Sequence, residues 1–150
     1  MEAPKKIVTI LGTMGFGKAG REITTGTIPR VTDLNEIGQL LATYRSHGHA
    51  ILDTARLYCD GDTEQVLGAI GTKDFEVHTK AFPAASGGLS TANVKEQLGA
   101  SLKALQVPSV DLFYLHMPDY STPISESLRS AFLSSFFLSF PFRSIVLLGL

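Results

Sequence analysis

Residues 51–64, ILDTARLYCDGDTE, give the clearest indication of how this chain folds. Its apolar beginning favours a β-strand, and Asp53 ends that apolar run. Five residues later Tyr58 stands among turn-forming and acidic residues, and a short helical pattern begins at Asp62. The stretch therefore predicts a strand, a polar loop and a helix, with a carboxylate and a phenol placed where the strand gives way to the loop.

The same succession recurs along the chain. Apolar runs that favour strands occur four times, at residues 7–14, 50–53, 75–80 and 110–117. The segments between them carry apolar side chains at helical spacing, with Thr32 or Asp33 placed to cap the first helix and Gly48 placed to end it. Alternating strands and helices predict right-handed βαβ units and a parallel sheet, so the fold class is α/β.

A parallel sheet collects its working groups at the carboxyl ends of its strands. Asp53 ends the second run, Lys80 ends the third and His116 lies near the end of the fourth, while Tyr58 follows in the loop after the second. We therefore expect these four side chains to meet on one rim.

An acid, a phenol, an amine and an imidazole together suit the reduction of a carbonyl group. Hydride addition creates an alkoxide that must receive a proton, and a tyrosine with its ordinary pKa of about 10 donates it reluctantly near neutral pH. A neighbouring ammonium lowers that pKa and a carboxylate holds the ammonium in place. The pattern thus assigns the proton to Tyr58, its tuning to Lys80 and Asp53, and orientation of the substrate oxygen to His116.

Four ordered motifs carry a family resemblance: GTMGFG at 12–17, ILDTARLY at 51–58, HTK at 78–80 and VDLFYLHMPD at 110–119. In order and content they resemble the aldo-keto reductases, in particular the aflatoxin-aldehyde reductase branch, over roughly residues 7–129. The resemblance implies an eight-stranded TIM (β/α)8 barrel that uses NADPH to reduce aldehydes and ketones. It also implies that Asp53 lies near the nicotinamide ribose and that His116 contacts a small-molecule carbonyl substrate. Met14 is a further candidate for cofactor binding at the rim, with simple packing as its alternative.

A complete (β/α)8 barrel needs about 250 residues, and 150 residues hold about four βα units. We therefore expect a partial barrel over 1–130, with most of the family's cofactor site in the other half. Open barrel edges would then favour self-association. The competing hypotheses are a non-catalytic truncated or interaction fragment, and a binding subunit like the family's channel-associated members.

The last twenty residues, 131–150, form an atypical apolar tail. They hold five of the nine phenylalanines and a single charged residue, Arg143, and Pro141 would interrupt a helix there. Three interpretations stay open: a translated intron or altered frame, a membrane segment, or a distorted fourth helix followed by a strand in SIVLLGL. A membrane span needs about 20 apolar residues, and the serines, the proline and the arginine argue against one.

Composition narrows the class of protein further. A net charge of −1 gives no basic surface for nucleic acid. Cys59 is the single cysteine, so no internal disulfide is expected and a reducing compartment fits. The N-terminal residues lack the apolar core of a signal peptide. These features predict a cytoplasmic protein. No metal site is expected.

Overall fold

The computed structural model describes residues 7–83 and 87–129, together with the backbone of 144–147. Its centre is one parallel sheet whose strands follow chain order: β1 (Ile10–Gly12), β2 (Ile51–Asp53), β3 (Glu76–Ala81), β4 (Leu112–Leu115) and β5 (Ser144–Leu147). Three helices connect the first four strands: α1 (Leu34–Ser46), α2 (Asp62–Ile70) and α3 (Thr91–Leu105). Residues 124–129 are also helical. The predicted α/β fold class is therefore confirmed.

The strand order distinguishes a barrel portion from an open doubly wound sheet. Every neighbour in the sheet is the next strand in sequence, with no reversal of direction. Right-handed crossovers that always advance the same way place the helices on one face of the sheet. Curling of such a singly wound sheet gives a (β/α)8 barrel, and these strands form a part of one.

Side chains of β3 show how the two faces of this sheet differ. Val77 and Ala81 are 3% and 0% exposed and belong to the apolar core beneath the helices. His78 and Lys80 alternate with them and therefore face the opposite, inner side. The helix-side core also includes Ile37 and Leu41 of α1, Val66 and Leu67 of α2, and Val94, Leu98 and Leu105 of α3.

The helix ends agree with the predicted caps. Asp33 is the N-cap of α1, and its carboxylate accepts from the backbone N–H of Asn35 at 2.7 Å and of Glu36 at 3.4 Å. Beyond its C-terminus, Gly48 has φ +80°, a conformation that glycine adopts without steric cost. The first helix is therefore delimited by the residues that its sequence indicates.

Helices α2 and α3 approach each other at Gly68. A Cβ atom at this position would lie 2.1 Å from the carbonyl oxygen of Ala104 and 2.9 Å from the carbonyl carbon of Leu105. No side chain fits between the two backbones here. Gly68 therefore sets the distance between the two helices.

One end of the sheet differs from the sequence expectation, and the other agrees with one of the three interpretations of the last twenty residues. β1 is shorter than the predicted run, and Ile7 and Val8 precede it with 83% and 70% of their surfaces exposed. At the other end, residues 144–147 pair with β4 as a fifth parallel strand, from Leu112 beside Ser144 to Leu115 beside Leu147. This agrees with the interpretation that placed a strand in SIVLLGL, whereas the predictions for 131–143 and 148–150 lie outside the described residues. None of the helices described is long and apolar enough to cross a membrane.

Candidate active site

Lys80 is the centre of the candidate site. Its ammonium donates to Asp53 Oδ2 at 2.7 Å, to the carbonyl of Thr54 at 2.8 Å and to the hydroxyl of Tyr58 at 3.4 Å. Its side chain is only 6% exposed, so these acceptors replace the water that the charge has lost. Three N–H groups meet three acceptors, which fixes the ammonium in one position.

Asp53 is held where β1 and β2 end together. Strand pairing places Gly12 beside Asp53, and Asp53 beside His78. The carbonyl of Asp53 accepts from the backbone N–H of Thr13 at 3.0 Å and from the Thr13 hydroxyl at 2.9 Å. Its side chain remains 26% exposed while it pairs with Lys80. One face of this carboxylate is therefore open to a ligand on the rim.

Tyr58 begins a short 3₁₀ turn, Tyr58–Gly61, five residues after the end of β2. Its ring is half-buried, and the Lys80 ammonium lies 5.1 Å from the ring centre. The Tyr58 oxygen accepts the hydrogen bond from Lys80, so its own proton is left for another acceptor. This geometry suits a phenol that gives its proton to a bound molecule.

His116 follows β4 and completes the cluster through its ring. The ring stands edge-on to the Tyr58 ring, with centres 5.6 Å apart and planes at 86°. Burial lowers the pKa of His116, and the positive charge of Lys80 lowers it further, against a smaller opposite effect of Asp53. The imidazole is therefore neutral at pH 7, when one ring nitrogen can donate and the other accept.

The structure thus brings together Asp53, Tyr58, Lys80 and His116, the four residues that the sequence predicts for one rim. We call these four residues the tetrad. Met14 also lies just beyond β1, with 53% of its surface exposed. Its carbonyl accepts a long contact of 3.7 Å from the Cys59 thiol. The exposed side chain of Met14 is therefore accessible to a ligand.

A buried network behind the cluster has no counterpart in the sequence prediction. The Glu64 carboxylate of α2 is fully buried and accepts from the Thr79 hydroxyl at 2.7 Å and from Arg56 Nη1 at 2.6 Å. Burial raises the pKa of Glu64, although its bonds to Thr79 and Arg56 oppose that change. Thr79 precedes Lys80, and Arg56 lies two residues before Tyr58. Glu64 therefore ties the strand that carries the amine to the loop that carries the phenol.

A second group lies deeper on the inner face. His78 is 4% exposed, and its Nε2 lies 2.8 Å from Glu76 Oε1. Its ring meets the ring of Tyr114 at 6.1 Å, and the Lys80 ammonium lies 5.6 Å from the centre of that same Tyr114 ring. Burial raises the pKa of Tyr114, and the charges of Asp53 and Glu76 raise it further. These residues fill the space under the tetrad, as expected for a hydrogen-bonded histidine within the barrel.

Metal chemistry has no ligand set in the part of the chain that the structure describes. No group of three or more histidine, cysteine or carboxylate side chains there could hold an ion. The carboxylate of Asp53 is instead engaged by Lys80.

Comparison with known proteins agrees with this geometry. The model of the aldo/keto reductase family matches residues 9–134. Aflatoxin B1 aldehyde reductase member 2 of Mus musculus is 39% identical over 134 residues, which cover 85% of this chain and 33% of that protein. The chain therefore belongs to the aldo/keto reductase family, and it spans about a third of the length of this relative.

Solved structures share the fold. A thermostable aldo-keto reductase in complex with the inhibitor epalrestat has a TM-score of 0.74 and 27% identity, covering 96% of this chain and 50% of that one. An aldo-keto reductase from Klebsiella pneumoniae in complex with NADPH has a TM-score of 0.72 and 22% identity, covering 92% of this chain and 44% of the other. The partial barrel therefore corresponds to about half of these reductases.

Proposed function

We propose that this protein reduces an aldehyde or ketone to the alcohol with NADPH, with Tyr58 as the proton donor. The observation that carries the proposal is the position of Lys80, whose ammonium contacts both Asp53 Oδ2 at 2.7 Å and the Tyr58 hydroxyl at 3.4 Å. Membership of an oxidoreductase family supports it. A buried ion pair is often no more stabilising than well-packed apolar residues of similar volume, so stability gives little reason for this cluster of an acid, an amine and a phenol.

The chain's own residues would act on the proton. Tyr58 gives its hydroxyl proton to the carbonyl oxygen of the substrate as negative charge develops there. The ammonium of Lys80 stabilises the phenolate that remains, and Asp53 holds the ammonium in position. His116, neutral at pH 7, hydrogen-bonds the same carbonyl oxygen and turns it towards Tyr58.

NADPH, when bound, supplies the hydride that reduces the carbonyl carbon. The residues present fit the nicotinamide end of that molecule, because the partly exposed Asp53 carboxylate can accept from ribose hydroxyls. The exposed side chain of Met14 offers an apolar contact on the neighbouring strand end. NADPH in the Klebsiella pneumoniae structure supports the choice of cofactor. A cytoplasmic location fits the reducing conditions that the lone cysteine suggests.

Two measurements test the proposal, on this chain and on a version completed with the C-terminal half of an aldo/keto reductase. NADPH titration, followed by its fluorescence, should show saturable binding, and a small aldehyde should then cause oxidation of NADPH. Tyr58→Phe should lower turnover by about 10²–10⁴-fold, the usual worth of general acid catalysis. Lys80→Met should act similarly, because it removes the charge beside the phenol. Tyr120→Phe, at a residue that is 98% exposed, is the matched control and should leave turnover unchanged.

The alternative hypothesis, a non-catalytic fragment or interaction module, predicts different results. It requires that a folded chain neither bind NADPH nor oxidise it in the presence of aldehydes. Binding with turnover that survives Tyr58→Phe would instead retain the enzyme and reject the assignment of the proton donor. The two measurements therefore separate the function from the residue that performs it.

A further inference from the structure

The turn that carries Tyr58 has an unusual backbone. Cys59 and Asp60 both adopt left-handed conformations, with φ values of +48° and +53°. Gly61 follows with φ +87°, a conformation that glycine adopts without steric cost. Left-handed conformations are costly for residues with a Cβ, especially for two in succession, and they persist when surrounding contacts enforce them. Contacts around this turn should therefore hold its backbone in place.

Those contacts come from the long connection between β1 and α1. The Asp60 carboxylate accepts from the backbone N–H of Thr24 at 2.8 Å, from its hydroxyl at 2.9 Å and from the backbone N–H of Thr25 at 3.0 Å. The buried thiol of Cys59 donates to the carbonyl of Thr27 at 3.2 Å. We call these contacts of Thr24, Thr25 and Thr27 with Cys59 and Asp60 the clasp.

The Asp60 carboxylate of the clasp is ionised at neutral pH. Hydrogen bonds from Thr24 and Thr25 lower the pKa of Asp60 to about 2, so its carboxylate is ionised throughout the physiological range. On the inner side, the Arg56 guanidinium occupies the space that a Cβ on Gly61 would need. The turn is thus held between Arg56 on its inner side and the β1–α1 connection on its outer side.

We propose that Asp60 is a positioning residue that, through the clasp, holds Tyr58 within reach of Lys80. This inference rests on the proposed function for the importance of Tyr58, although the clasp itself does not. The contact between Tyr58 and Lys80 measures 3.4 Å, near the limit of a hydrogen bond, so a small rotation of the turn would break it. Tyr58 is tied on its other side by its own N–H to the carbonyl of Ala55 at 3.1 Å. The backbone of Tyr58 is therefore held on its N-terminal side by Ala55 and on its C-terminal side by the clasp at Asp60.

Cys59 provides a reporter that does not depend on catalysis. It is the single cysteine of the chain, it is 0% exposed, and its thiol is part of the clasp. Opening of the clasp would expose it to a thiol reagent such as dithionitrobenzoate. The rate of labelling at fixed pH and temperature therefore measures how often the clasp opens.

Three substitutions separate the carboxylate from the backbone conformation. Asp60→Gly removes the carboxylate but adopts the left-handed backbone freely, and Asp60→Ala removes the carboxylate and retains the steric cost. Asp60→Asn keeps an acceptor and tolerates this backbone, so it should restore part of the protection. Asp74→Asn, at an exposed aspartate in the turn before β3, is the matched control.

We expect Cys59 to be labelled at least about tenfold faster in both Asp60→Gly and Asp60→Ala, as the loss of charge-assisted hydrogen bonds implies. Asp60→Asn should fall between them and the unchanged chain, and Asp74→Asn should match the unchanged chain. Where turnover is measurable, kcat should fall in Asp60→Gly while KM for the aldehyde stays within about twofold. Melting temperatures confirm that each variant is folded.

The proposal is overturned by labelling that does not accelerate in a folded Asp60→Gly, because the turn would then hold its shape without the carboxylate. Faster labelling with undiminished kcat would also overturn it, since the clasp would then not position Tyr58. If Asp60→Ala does not fold, Asp60→Asn gives the same decision. A chain without reductase activity would reject the proposed function and leave the labelling result to decide on the clasp.

Discussion

His116 carries a buried Nδ1 that has no hydrogen-bond partner within the described part of the chain. Burial and the nearby Lys80 ammonium lower its pKa below the ordinary value of 6.5. Charging the ring would place a second cation beside Lys80 without a new carboxylate to pair with it. At the scale of the residue, neutrality of His116 is therefore part of the folded state.

This neutrality predicts a pH dependence of stability. As pH falls below about 6.5, the unfolded chain takes up a proton on this histidine before the folded chain does, so the free energy of unfolding decreases. The loss is complete once pH has passed below the folded pKa of His116. His116→Gln should remove this part of the dependence and give a smaller fall in Tm between about pH 7.5 and about pH 5.5.

Thermal melts of the two proteins at these pH values provide the measurement. His47→Gln is the control, because His47 is exposed and its ring nitrogen bonds the carbonyl of Thr43 in its own helix. An identical fall in Tm for the unchanged chain and for His116→Gln would show that His116 titrates alike in both states. The lowered pKa would then be wrong.

The tetrad could be predicted from the sequence, whereas its supports could not. Asp53, Lys80 and His116 lie at or next to the ends of successive strands, and parallel strands bring such positions to one edge without further information. Asp60 is bonded to a residue 36 positions away, and Glu64 to one 15 positions away. In the sequence both acids have the simpler interpretation of polar residues near the start of a helix. Only the packing of loops and helices shows which partners they have.

Where helices α2 and α3 cross, the usual effect of replacing a helical glycine by alanine should be reversed. Alanine in place of a helical glycine usually stabilises a protein by about 0.5–1 kcal/mol. At Gly68 the added Cβ would lie 2.1 Å from the carbonyl oxygen of Ala104, so the helices must separate. We expect Gly68→Ala to lower the free energy of unfolding by about 1–3 kcal/mol, the usual cost of overpacking.

A second glycine supplies the comparison. Gly99 of α3 is exposed, and a Cβ there would meet nothing within 4 Å. Gly99→Ala should therefore raise the urea midpoint, whereas Gly68→Ala lowers it. Equal shifts of the same sign would show that the helix crossing tolerates a methyl group.

The limits of the helices were predictable because local residues set them. Asp33 caps α1 with its own carboxylate, and Gly71 follows α2 with φ +94°. The ends of the strands were less predictable, since pairing with neighbours decides them. The apolar run at 7–14 therefore yields only three strand residues, Ile10–Gly12.

At the scale of the whole molecule, the sheet presents edges. Among the described strands, β1 pairs only with β2 and β5 only with β4. Apolar side chains stand beside the first edge: Ile7, Val8 and Ile10 are 83%, 70% and 50% exposed. Exposed strand edges with apolar side chains favour pairing with other chains.

We therefore expect the chain to self-associate, with a sedimentation coefficient that rises with protein concentration. Val8→Lys should shift association to about tenfold higher concentration or more, because burying a valine is worth about 1.5–3 kcal/mol. Ile28→Lys is the control, since Ile28 is 75% exposed but lies in the β1–α1 connection. A monomer at all concentrations would contradict the expectation.

The division into a barrel portion over 1–130 and an apolar tail over 131–150 stays a prediction. Residues 144–147 pair with β4, so part of the predicted tail belongs to the sheet. Sequence composition could not reveal this pairing, since a strand inside a long apolar segment has no period of its own to mark it. Only the register with β4 identifies it.

The uninterrupted strand order also places the four side chains of the tetrad within one continuous segment of the chain. Because neighbours in space are neighbours in sequence, the acid, the phenol, the amine and the imidazole all lie between Asp53 and His116, while the preceding segment adds supporting contacts from Thr13 to Asp53 and from Thr24 and Thr25 to Asp60. In barrel enzymes the loops of the remaining strands shape the mouth of the site. Recombination of this segment with different second halves would then exchange the surrounding loops while Asp53, Tyr58 and Lys80 keep their mutual contacts.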